Sequence, residues 1–169
     1  MFSLALLLLF PFIMVFAAAS DLLTMRISNF VSIALVVLYL VVALVSGLPL
    51  MTIGYHLACG VAVLIVTFSL FAMGWIGGGD AKLAAATAIW AGWANILPYL
   101  AFGAVFGGLL TIVLLAYRFI PLPIFLVKQD WARRLHDRKA GIPYGIALAA
   151  AGLVIYRDTP VWEALAQRL

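Results

Sequence analysis

Asp21 and Asp80 are the residues of this chain best placed to do chemistry, and each stands at the edge of a long apolar run. A carboxylate beside hydrocarbon is costly, and a second one nearby makes ionising both costlier still, so a pair that meets should share one proton. The ionised member can then take a proton from water as that water attacks a peptide carbonyl, while the protonated member donates a hydrogen bond to the developing oxyanion. This chemistry needs no metal, no cofactor and no covalent intermediate. Gly77, Gly78 and Gly79 precede Asp80 in "IGGGDAK". Lacking Cβ atoms, they let an extended peptide or another helix approach the backbone, and they permit φ above zero.

Whether the two carboxylates meet depends on the elements that carry them. Of 169 residues, 67% are hydrophobic and 9% are charged, and the mean hydropathy is +1.23, which marks an integral membrane protein. A spanning helix takes about 20 residues, so the chain has room for about six helices in one all-α bundle, a single polytopic domain over residues 1–169, and no separate soluble domain. Apolar runs and breakers put these spans at about 4–19, 29–46, 52–73, 81–97, 99–117 and 142–156. The breaks are "SGLP" at 46–49, "GWIGGGD" at 74–80, "NILP" at 95–98 and "RFIPLP" at 118–123. The first run has no Lys or Arg before it, so it reads as a retained span rather than a cleaved signal peptide, despite "AAAS".

Cytoplasmic loops carry the excess of Lys and Arg. With the N-terminus outside, eight of the ten basic residues fall on the cytoplasmic side: Arg26, Lys82, Arg118, Lys128, Arg133, Arg134, Arg138 and Lys139. Only Arg157 and Arg168 fall opposite. The +4 net charge therefore reads as attraction to membrane lipids rather than to nucleic acid. In this topology Asp21 and Asp80 emerge on the same cytoplasmic face. Asp130 and Asp137 lie among basic residues and read as solvated or ion-paired loop charges.

Each residue also has a plainer reading. Asp80 can N-cap the helix beginning "AKLAAATA", and Asp21 can mark the membrane exit of the first span; Ser28 and Asn29 suit the N-cap of the second. Lys82 reads equally as a cation beside the carboxylates or as an interfacial side chain. In the cytoplasmic loop at about 118–140, Val127, Trp131 and Leu135 recur at steps of four, which predicts an interfacial amphipathic helix. His56 and His136 lack metal-ligand spacing and read as non-catalytic. Cys59, the only cysteine, excludes disulfides and CxxC sites within the chain. Thr159 and Pro160 predict a short C-terminal helix on the outer surface, with Trp162 and Leu165 on one side.

Two motifs carry a resemblance. "DLLTMRISN" at 21–29 resembles the D-x5-I-P-N signature of type IV prepilin peptidases, and "GGGDAKL" at 77–83 resembles their G-x-G-D-x-K-L. A third stretch, "GIPYGIALAAAG" at 141–152, including Pro143, Tyr144 and Gly145, is similar to the segment opening the last span in the small Flp-pilus (tight adherence) branch. The resemblance implies a membrane aspartic protease of the GxGD type that removes the short basic leader of prepilins at the cytoplasmic face of the bacterial inner membrane. Asp21 and Asp80 match its catalytic positions, and archaeal preflagellin peptidases share the same pair. Ser28 departs from the family's proline, restoring a backbone N–H before the second helix. The larger family members carry CxxC motifs in an extra cytoplasmic region and N-methylate the new terminus; the lone cysteine implies no methylation here.

Two other function classes remain open. A small proton-coupled transporter would favour carboxylates near the midplane, whereas Asp21 and Asp80 sit at helix ends, and the chain has no inverted repeat. A non-catalytic subunit of a secretion machine would use both aspartates merely to cap helices.

Overall fold

The computed structural model describes residues 2–168, and all regular structure among them is helical. α1 spans Phe2–Thr24, α2 Asn29–Val45, α3 Leu50–Ala72 and α4 Gly78–Phe119. Two short helices follow, α5 (Ile124–Val127) and α6 (Asp130–His136), and then α7 (Tyr144–Ile155), a 3₁₀ turn at Tyr156–Asp158 and α8 (Pro160–Ala166). Ser3–Thr24, Leu50–Ala72 and Gly78–Phe119 are long and apolar enough to cross a membrane. α2 has 17 residues and α7 only 12, about 18 Å at 1.5 Å per residue.

The predicted fourth and fifth spans are one helical element, and the break between them lies at Gly92 rather than at "NILP". Gly92 has φ of 64° and ψ of −180°, and a Cβ there would lie 2.5 Å from the His56 ring, so both the conformation and the contact demand glycine. The contacts on either side show the chain doubling back. Asn95 donates to the Asp158 carbonyl at 2.8 Å, whereas Thr111 meets the Tyr144 hydroxyl at 3.2 Å and Arg118 donates to the Leu135 carbonyl at 2.8 Å. The arms at 78–91 and 93–119 thus run in opposite directions along α7. Pro98, expected to punctuate, sits inside the second arm.

The core gathers at the end of the molecule remote from Asp80. Phe10 of α1 lies 4.7 Å from Trp90 and 4.5 Å from Tyr156 between ring centroids, and Tyr39 of α2 meets Trp90 edge-on at 5.6 Å. The Trp90 indole N–H donates to the Leu35 carbonyl at 3.0 Å, satisfying its one polar atom in the buried site. His56 also belongs to this cluster: it lies within α3, stacks on Tyr39 at 5.5 Å, and its Nδ1 is 2.8 Å from the Ile89 carbonyl. Val161 and Leu165 of α8 pack into the same core, so the C-terminal helix is an integral wall and not an appended surface helix. Thr159 caps it, accepting from the Trp162 N–H at 3.3 Å.

Candidate active site

Three segments build the opposite end. In the first, α1 stops where Met25 adopts φ of 55°. Ser20 and Thr24 hold the turn, their hydroxyls donating to the Arg26 carbonyl at 2.9 and 3.2 Å. The turn sets Ile27 inward, and Ser28 then caps α2 by accepting from the Phe30 N–H at 3.2 Å. Asp21, on the last turn of α1, is 5% exposed.

In the second segment, Gly74 ends α3 with φ of 75°, its N–H donating to the Phe71 carbonyl while the Trp75 N–H reaches Leu70. α4 begins at Gly78 with Gly77 as its N-cap, so Asp80 is the third helical residue and not the expected cap. Its side chain instead folds back over Gly77, where a carboxylate suits the positive end of the helix. A Cβ at Gly77 would lie 2.8 Å from Asp80 Oδ2. At Gly78 it would press on the Phe71 ring at 3.1 Å, and at Gly79 on the Ile27 Cβ at 3.1 Å. The three glycines therefore serve close approach; none has positive φ, a freedom the structure uses at Gly74 and Gly92.

The third segment is the start of α7. The Gly145 N–H donates to Asp21 Oδ2 at 2.7 Å and lies close to the Asp80 carboxylate as well. A Cβ on Gly145 would sit 2.7 Å from Asp21 Oδ2 and 2.6 Å from Ile27 Cδ1. One amide and one isoleucine thus hold the two aspartate segments together. Asp21 and Asp80, within reach of each other's charge, line one open cavity of about 710 Å³, walled by Ser20, Arg26, Asn29 and the three glycines. Asp21 is its buried carboxylate and Asp80 its half-exposed one. Among the described residues, no three His, Cys, Asp or Glu side chains converge as a metal-ligand set.

The other predicted positions divide between this cavity and its surroundings. Among the described residues Lys82 makes no ion pair with either carboxylate; it donates to the Asn29 side-chain oxygen at 2.8 Å, joining the two motifs at an exposed site. Pro143 is buried immediately before α7, and Tyr144 lies over Gly107, where a Cβ would stand 2.6 Å from its ring. The loop at 118–140 is not one amphipathic helix: it breaks at Lys128–Gln129, Val127 is exposed, and the buried face is Ala132 and Leu135. Asp130 pairs with Arg133, and Arg134 donates to the Leu23 carbonyl at 2.6 Å, docking the loop on the end of α1. His136 packs edge-on against Tyr117, 5.3 Å between centroids and away from the cavity.

Sequence reasoning missed two positioning residues. Ile27 was visible only as a motif letter, and its wedge between Gly79 and Gly145 needed the fold. Arg118 counted only toward topology, yet it is buried and donates to the carbonyls of Leu135, Ala140 and Gly141 at 2.8 to 3.1 Å, fixing the strand of chain that delivers Gly145.

Searches of curated proteins and of solved structures return no match to this chain. A sequence model of the type IV leader peptidase family matches residues 8–112, which hold both aspartates, Ile27, Asn29, the glycines and Lys82 but stop short of Gly145. That span is well over half of the chain, and with it the chain belongs to the type IV leader peptidase family.

Proposed function

We propose that this protein is an aspartic endopeptidase that removes the short basic leader of Flp-type prepilins at the cytoplasmic face of the bacterial inner membrane. The observation that carries the reading is the convergence of Asp21 and Asp80 on one cavity, with the Gly145 amide between them. With one proton on the pair, the ionised carboxylate takes a proton from water as its oxygen bonds to the peptide carbonyl carbon. The protonated partner hydrogen-bonds the carbonyl oxygen as it gains charge. Collapse of the tetrahedral intermediate breaks the C–N bond, and the proton taken from water passes to the leaving amine. The open cavity and the side-chain-free surface of Gly77–Gly79 admit an extended peptide.

In this reading residues 1–169 form one polytopic domain with its N-terminus outside. The two arms of α4 count as separate crossings, and α2 and α7 complete a bundle of six. The basic loop at 118–140 then rests on anionic lipids of the inner leaflet. N-methylation of the product is not expected from this chain.

Co-expression with a Flp-type prepilin tests the assignment. Wild type should convert the precursor, and Asp21→Asn and Asp80→Asn should each abolish conversion while remaining folded in the membrane. Full processing by either variant refutes the carboxylate pair. Absence of processing by wild type, with solute or proton uptake in vesicles, would identify a transporter instead.

A further inference from the structure

α2 and α3 leave between them a cleft that the chemistry of the aspartates does not use. The helices barely touch along their length and are joined chiefly by the Tyr39–His56 stack. On the Asp80 side of that stack lies an open trough of about 450 Å³. The first arm of α4 forms its floor through the small residues Ala85 and Ala86, and its lips include Ile33 and Val61, 60% and 57% exposed. Polar groups enter only at one end: Asn29, held by Lys82, and Ser32, whose buried hydroxyl has no hydrogen-bond partner. Asn29 also walls the carboxylate cavity, so the two hollows meet at that residue.

An acyl chain would fit the apolar lining but would have no need of a junction with the aspartates. A helix end has such a need, because its terminal amides and carbonyls lack partners within the helix. The floor residues run from Lys82 to Ile89, about two helical turns, and small side chains there let a helix approach closely in a membrane, where packing and not hydrophobic transfer holds helices together. We propose that the trough seats an apolar helical segment of the protein substrate, entering sideways from the bilayer. The end of that segment unwinds past Ser32 and Asn29 so that the scissile bond lies between Asp21 and Asp80. The proposal rests on the peptidase reading above.

Two arms test it with the full chain in lipid vesicles. The first compares kcat/KM for an intact Flp-type prepilin with that for a soluble peptide carrying the leader and cleavage site but no apolar segment. Ile33→Trp and Val61→Trp should lower the ratio of intact to short substrate at least tenfold by raising KM for the intact one, while Val105→Trp, on an exposed face outside the trough, should leave that ratio as in wild type. An unchanged ratio in both trough variants overturns the proposal while leaving the peptidase reading intact. In the second arm, p-benzoylphenylalanine replaces Val61 in the Asp80→Asn chain. Crosslinks to the apolar segment of the prepilin support the trough, even should wild type cleave neither substrate; adducts with lipid alone or with a second copy of the chain overturn it.

Discussion

The two ends of the bundle are built on opposite principles. At the far end, four large rings, Phe10, Tyr39, Trp90 and Tyr156, interlock at full burial, and backbone hydrogen bonds to Trp90 and His56 tie α2, α3 and α4 into one unit. At the carboxylate end there is almost no packing of large side chains. Glycines, one isoleucine and a set of loop hydrogen bonds hold Asp21 and Asp80 around an open cavity. Rigid packing at one end lets the helices diverge at the other without unfolding, and in the proposed function the space so created takes a peptide. Substitutions at the far end should therefore cost stability, and those at the near end should cost turnover.

Trp90→Ala should show the largest effect. It removes the biggest fully buried side chain among the described residues and its hydrogen bond to the Leu35 carbonyl, which costs about 3 kcal/mol through the cavity and lost contacts. Thermal unfolding in detergent should report that loss, with cleavage per folded molecule staying near wild type. A large fall in turnover without a fall in stability would break the comparison between the ends.

Gly145→Ala tests the near end. The added Cβ would stand 2.7 Å from Asp21 Oδ2 and 2.6 Å from Ile27, so the carboxylate must move. A displacement near 1 Å in a catalytic group costs about 100-fold in rate. The prepilin assay should read that loss in kcat, with the unfolding midpoint changed far less than in Trp90→Ala. Wild-type kcat in this variant would mean that the amide does not set the geometry of the pair.

Gly92→Ala sharpens the boundary between the ends. At φ of 64° and ψ of −180° the backbone occupies a region nearly closed to residues with a Cβ, at a cost of about 1–3 kcal/mol, and the His56 ring must also yield. The loss should appear in thermal stability, and it should be smaller when Gly92→Ala is made in a His56→Ala chain than in wild type, because the collision is then absent while the backbone cost stays. An equal loss in both backgrounds would show that contact to be unimportant.

Legibility followed the same division. Both carboxylates, the glycines, the Ser28 cap and the Thr159 cap could be read locally, since each depends on residue type within one turn of chain. The doubling back of α4 could not. "NILP" carries the stronger punctuation, but Pro98 is tolerated inside a helix, and the close approach of His56 from α3 selects the break at Gly92. The cap of α4 was misread by three residues because Gly77 caps without a side chain. Gly145 was legible only as part of a motif, because its hydrogen bond to Asp21 spans 124 residues of sequence and exists only once α7 is placed. The loop helix failed for a related reason: steps of four from Val127 to Leu135 cross a break at Gln129, so Val127 stays exposed while docking on α1 and α4 buries Leu135 together with Ala132.

Lys82 should show the smallest effect, and it separates two readings of the same residue. A cation acting on the carboxylates would make Lys82→Met cost two or more orders of magnitude in turnover. Its ammonium instead bonds Asn29 at an exposed site, and such a hydrogen bond contributes about 1 kcal/mol, a factor of about five. Lys82→Met and Asn29→Ala should each lower kcat/KM by no more than about that factor. Because both remove the same bond, the double variant should lose little beyond either single one. Additive losses would mean that the two side chains act separately. A hundredfold loss in Lys82→Met alone would return the lysine to the chemistry.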